Sequence, residues 1–115
     1  MVLRKAGSDA AMQTEGFSFV VEQLETGALV RVTGDVDIDT APRLDKCLIE
    51  LESHPLTLDL SRVTYMDSSA IAVLVKSLHR AARNETSFAI RGVQPEQQCL
   101  LEITGLFDLL NIDGD

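Results

Sequence analysis

Leu56-Thr57-Leu58-Asp59-Leu60-Ser61-Arg62-Val63-Thr64-Tyr65-Met66-Asp67-Ser68-Ser69-Ala70-Ile71 is the stretch that decides the fold. Its first part is apolar, from Leu56 to Leu60 and again from Val63 to Met66, and reads as a strand. Asp67-Ser68-Ser69 interrupts the run. From about Ser69 to Arg83 the apolar spacing changes to i, i+3, i+4, i+7. Ile71, Leu74, Val75, Leu78 and Ala82 are the expected core stripe of a helix there. A strand that feeds a helix through a carboxylate and two hydroxyls places those groups at a helix N-terminus. Asp and Ser are preferred caps. The free main-chain N–H groups and the positive end of the helix dipole would also stabilise a phosphate.

Upstream, Phe17, Phe19 and Val21 alternate with Ser18, Val20 and Glu22, which predicts a half-buried strand. Thr26-Gly27 turns the chain, and Ala28, Val30 and Val32 open a second strand of the same hairpin. The acidic, turn-prone stretch Gly34 to Thr40 leads into a helix, with Asp39 or Thr40 as cap and Pro42 in the first turn. Leu44, Cys47, Leu48 and Leu51 give this helix its apolar stripe, and Ser53-His54-Pro55 ends it. Downstream, Asn84 terminates the second helix, and Phe88 and Ile90 mark another strand. A third helix runs from near Pro95 to Gly105, with Leu106 placed for the apolar contact that follows a helix C-terminus. Phe107 to Ile112 is a closing apolar segment.

Strands separated by helices imply parallel pairs joined by right-handed crossovers. The expected fold is α/β, a mixed sheet of four to five strands, the first antiparallel, covered by about four helices. Residues 1–15 are small and polar and read as a flexible tail; 16–115 read as a single domain.

The chain has 115 residues, 45% of them apolar, with one Tyr, four Phe and no Trp, so its core must be aliphatic. The net charge of −8 argues against nucleic acid and against an anionic membrane surface. No stretch approaches the ~20 apolar residues of a membrane span. Arg4 and Lys5 are followed by no apolar core of a signal peptide, so a cytoplasmic location is expected. Cys47 and Cys99 have no metal-ligand spacing and are expected as buried small hydrophobes.

Ligand sites of parallel α/β units gather at the strand C-termini. The second strand delivers Asp35, Asp37 and Asp39 to that pole, and the third delivers Asp67, Ser68 and Ser69. The residues do not support catalysis. The elbow G-x-S-x-G is absent around Ser69. A base must reach the nucleophile. His79 lies ten residues along the same helix, about 15 Å away at helical rise. His54 falls at the opposite pole. Asp67 as a phosphoacceptor would need a lysine beside it, but Lys76 sits about two turns into the helix. No G-x-x-x-x-G-K-[ST] or G-x-G-x-x-G is present. No catalytic residue, metal, cofactor or small-molecule substrate is expected. Ser69, Ala72, Val73 and Lys76 instead share one outer helix face, a small smooth surface on which a protein could dock.

Asp59 to Leu74 resembles the central motif of STAS domains, the anti-sigma factor antagonists and their relatives. Gly34-Asp35-Val36-Asp37-Ile38-Asp39-Thr40-Ala41-Pro42 resembles the family's stretch leading into the first helix, and Ile103-Thr104-Gly105-Leu106 its ending of the last main helix. The resemblance spans roughly residues 17 to 112. It implies a STAS-like sheet and a non-enzymatic role: binding an anti-sigma factor, often a serine kinase, and so freeing a sigma factor. It implies phosphorylation at Ser69, supported by Asp67 and Ser68, that switches binding off. Partner contacts are then expected at Asp35, Asp37, Ala70, Ala72, Val73 and Lys76. Ala70 stands where the family has a glycine, and its methyl is expected to narrow the approach to Ser69. The alternative is a STAS subunit of a larger assembly, a lipid-transport ABC complex or a stress-signalling complex, acting as a constitutive clamp.

Overall fold

Period-two alternation sets the first strand, β1 (Phe17–Leu24): Phe17, Phe19 and Val21 are buried and Val20 is exposed. The computed structural model describes residues 16–105 and 111–113. The expected tail at 1–15 and the Leu106 contact lie outside the described residues. β2 (Gly27–Val36) pairs antiparallel with β1, from Leu24↔Gly27 to Phe17↔Gly34. α1 (Ala41–Glu50) carries the chain to β3 (Leu56–Met66), parallel to β2. α2 (Ser68–Arg83) carries it to β4 (Phe88–Arg91), and α3 (Pro95–Ile103) leads on towards β5 (Asn111–Asp113). The sheet order is β1-β2-β3-β4-β5, with every pair after the first parallel. The mixed α/β expectation therefore holds. Three helices occur among the described residues rather than about four, and the closing segment contributes a short strand.

Val30, Leu58 and Ile90 lie side by side across three strands and are fully buried. They join Leu44 and Leu48 of α1, Leu74 of α2 and Leu101 of α3 in one cluster that is mainly aliphatic but also takes in Phe17, Phe19 and Phe88. One residue further along each strand the chemistry inverts: Arg31, Asp59 and Arg91 stand in register on the other face. The Asp59 carboxylate lies 3.9 Å from Arg31 Nε and 3.6 Å from Arg91 Nε. Burial alone would raise its pKa, but the Ser61 N–H donating at 2.9 Å and the two guanidiniums hold it below the usual carboxylate range.

α2 sits with a different phase from the one the apolar stripe suggests. Its buried residues are Ala70, Val73, Leu74, Ser77, Arg80 and Ala81. Ile71, Val75 and Leu78 pack at the margin of the core, and Ala82 is exposed. Both sides of the helix are apolar enough to pack, so the pattern alone does not select the phase. A polar contact on the first helix helps to select it. Arg80 Nη2 donates to Asp45 Oδ1 of α1 at 2.8 Å and to Ser77 Oγ at 3.2 Å, and Arg80 Nε lies 3.8 Å from Glu52.

Gly34, like Gly27 at the start of β2, holds a positive φ that its close backbone neighbours require. Its φ is +101°, at an irregularity in the β2–β3 register. A Cβ there would overlap the carbonyl oxygen of Gly16 and come within 3.1 Å of Phe17 Cα. The same close approach lets the Asp35 N–H donate to Gly16 O at 2.7 Å. Cys47 is buried as expected, and its thiol is pushed up to about 12, first by burial and then by Glu50, which makes it inert at neutral pH. Cys99 is exposed, against expectation, because α3 turns Gln97 and Leu101 inward and Cys99 outward.

Candidate functional site

The parallel pairing of β2 and β3 brings their C-terminal ends to one pole. Val36 pairs with Met66, and the Asp67 N–H donates to Val36 O at 3.4 Å. Asp35, Asp37, Asp67, Ser68 and Ser69 are thereby brought to neighbouring strand ends. His54 precedes β3 at the opposite end of that strand, and His79 lies exposed far along α2.

Asp67 caps α2. Its backbone is extended, with φ −124° and ψ −165°, and its Oδ1 accepts the Ser69 N–H at 2.8 Å. The Asp67 carbonyl accepts from Ala70 and Ile71 at 3.0 and 3.2 Å, which starts the helical ladder. Ser68 is exposed and Ser69 half-buried in the first turn. Asp67→Ala should lower the unfolding free energy by about 1 kcal/mol, the ordinary worth of an N-cap. Urea denaturation measures it, and an unchanged midpoint at unchanged m would contradict the capping role.

The β2–α1 turn is braced from within. The Asp37 carboxylate accepts the Asp39 N–H at 2.9 Å and the Thr40 N–H at 3.1 Å. Main-chain hydrogen bonds from Thr40 and Asp39 hold the Asp37 carboxyl below the usual range. Thr40 stands at the N-cap position of α1, but its hydroxyl turns back, accepting from the Asp37 N–H at 2.9 Å and donating to Asp35 O at 2.7 Å. Asp35 Oδ1 accepts the Thr64 hydroxyl at 2.6 Å, linking β2 to β3. Ile38 stands at the tip of this turn, 72% exposed. The sequence reading missed Ile38 and Thr40 as site residues. The available signal was a lone β-branched apolar residue between two aspartates.

Two expected partner contacts need correction. Ala70 and Val73 are 2% and 3% exposed and face the core, because they lie on the side of α2 that packs inward. Their side chains cannot form a docking surface, and the Ala70 methyl does not narrow the approach to Ser69. Ala72 is exposed. Lys76 is exposed too, with its ammonium 3.9 Å from Asp45 Oδ2. The outer face near Ser69 therefore consists of Ser68, Ala72 and Lys76.

The model of the STAS domain matches residues 18–115. The chain belongs to the STAS domain family. This STAS domain is 32% identical over 87 residues to the anti-sigma-B factor antagonist of Staphylococcus epidermidis, covering 73% of this chain and 81% of the relative. The anti-sigma-B factor antagonist of Staphylococcus aureus (strain NCTC 8325 / PS 47) matches with the same identity and coverage. Among solved structures, the STAS domain is similar to an anti-sigma factor antagonist from Mycobacterium paratuberculosis, with a TM-score of 0.78 at 23% identity, covering 90% of each chain. It also resembles the anti-sigma factor antagonist SpoIIAA in its unphosphorylated form, with a TM-score of 0.73 at 13% identity, covering 85% of this chain and 90% of that one. At these identities the structural likenesses speak to the fold. No helix among the described residues of the STAS domain is long and apolar enough to cross a membrane.

Proposed function

We propose that this STAS domain is an anti-sigma factor antagonist of the cytoplasm, a protein-binding module that engages an anti-sigma factor and so releases a sigma factor. Ser69 is the phosphoacceptor, and its phosphorylation by the partner, acting as a serine kinase, ends the complex. The observation that supports this reading is the placement of Ser69 in the first turn of α2, two residues after a carboxylate cap that accepts its N–H, and beside the exposed Ser68 and Ala72. The names of the curated relatives support the partner class.

The physics of the switch follows from charge. A phosphate adds about −1.5 to −2 charges. The N-terminus of α2 tolerates that charge within the domain. A partner surface matched to a neutral hydroxyl and a small alanine does not, because an unpaired charge in a docked interface costs about 2–5 kcal/mol. Asp67 and Asp35 add to the repulsion rather than relieving it. Release then needs no rearrangement of the fold.

Incubation of the purified chain with its cognate anti-sigma factor and ATP tests the proposal. The expected result is one added phosphate by mass spectrometry, absent in Ser69→Ala, and binding weakened about 30-fold or more by phosphorylation or by Ser69→Glu. Partner binding that ignores both changes would sink the switch. Stable binding with no phosphate transfer would favour a constitutive STAS subunit of a larger assembly.

A further inference from the structure

Ile38 has no role in holding the domain together. It is 72% exposed, whereas Val36 before it and Ala41 after it are 1% and 3% exposed. The turn between them is pinned at both ends, to Asp67 through Val36 O and across its own width by Asp37 and Thr40. A β-branched side chain on such a turn has few conformations left to lose on docking. Tyr65, 52% exposed, is the second large apolar side chain of this pole, on the residue that pairs with Asp35.

We propose that Ile38 is the apolar anchor of the partner interface, and that the partner is a folded protein offering an apolar socket rimmed by arginine or lysine. The inference rests on the reading of this chain as an anti-sigma factor antagonist and names the chemistry of the surface it meets. Charge selects the occupant. Asp35, Asp37, Asp39 and Asp67 are the charged groups of the two chain segments at this pole, 35–40 and 67–70, and all four are acidic. A second copy of the chain would oppose carboxylates to carboxylates. An anionic membrane or a nucleic acid would be repelled as well. A basic rim is attracted, and an exposed isoleucine at its centre supplies the dry contact that buried hot spots require.

The anchor and the switch are separable. Ile38 belongs to the β2–α1 turn, and Ser69 belongs to α2 with Ala72. The acidic turn carries attraction and its salt dependence; Ser69 carries the steric and desolvation penalty of a phosphate.

Isothermal titration of the purified anti-sigma factor with wild type, Ile38→Ala, Ile38→Val, Asp39→Lys and Ser69→Glu tests the proposal. Ile38→Ala should weaken binding about tenfold or more, as loss of a hot-spot side chain does. Its thermal midpoint should not change, because the side chain is exposed. Ile38→Val should keep most of the affinity. Asp39→Lys should slow association and flatten its salt dependence. Ile38→Ala binding within about twofold of wild type would overturn the anchor. So would a wild-type dimer in equilibrium sedimentation that Ile38→Ala splits, or the absence of any binding to the anti-sigma factor. Loss with Ile38→Ala but not with Ser69→Glu keeps the anchor and removes the switch; the reverse result removes only the anchor.

Discussion

Gly34→Val is expected to lower the unfolding free energy by about 4 kcal/mol or more, enough to unfold a domain of ordinary stability. Two costs combine. A β-branched residue held at a φ of +101° is strained by about 1–3 kcal/mol. The new Cβ also overlaps the Gly16 carbonyl oxygen, which is main chain and cannot rotate aside. Relief requires β1 to withdraw from β2, and the Asp35 to Gly16 hydrogen bond breaks with it. Gly34→Ala carries both costs in smaller measure, about 3 kcal/mol. Urea titration followed by circular dichroism measures both variants. A loss below about 1 kcal/mol for valine would show that the strand edge yields more easily than its hydrogen bonding implies.

The second large effect lies between the helices. Arg80→Ala should cost about 3–5 kcal/mol, the range for removing one partner of a buried ion pair. Arg80 is 10% exposed in its side chain and Asp45 17%, so the carboxylate left behind is poorly hydrated. Glu52, 36% exposed, can turn to water and adds less. Replacing both partners distinguishes this account from simple loss of packing. Arg80→Leu with Asp45→Leu should recover at least half of the loss, since no carboxylate then remains with only the exposed Lys76 ammonium, 3.9 Å away, to offset its burial. A double variant no better than Arg80→Ala would assign the effect to shape rather than charge.

Arg80 also explains where the sequence was silent. The alternation in Phe17 to Val21, the acidic turn and the run into Asp67 each carry one period or one cap, and those elements stand where the pattern puts them. α2 carries apolar residues on more than one side, so its pattern fits two phases. The inward turn of Ala70 and Val73 follows from packing against the sheet and from the pairing of Arg80 with Asp45, a contact between positions far apart in the chain. No local rule encodes such a contact. The acidic turn shows the converse. Three aspartates looked alike in sequence, yet Asp37 is committed to bracing the turn, Asp35 to Thr64, and Asp39 is exposed. The acceptor geometry of each carboxylate, rather than composition, separates their roles. Ile38 escaped notice because a single apolar residue in a polar turn carries no period at all.

Tyr65 gives the pole a further property. It is the single tyrosine of a chain without tryptophan, and it stands half-open to solvent one residue before Met66, which leads into the cap of α2. The domain thus carries one phenol among its aromatic rings, placed at the pole that would meet a partner. Its ring resonances and its accessibility to iodination report on occupancy of that pole alone, without any label being introduced. A core that buries three phenylalanines but no tyrosine leaves the protein with a native optical reporter at its surface.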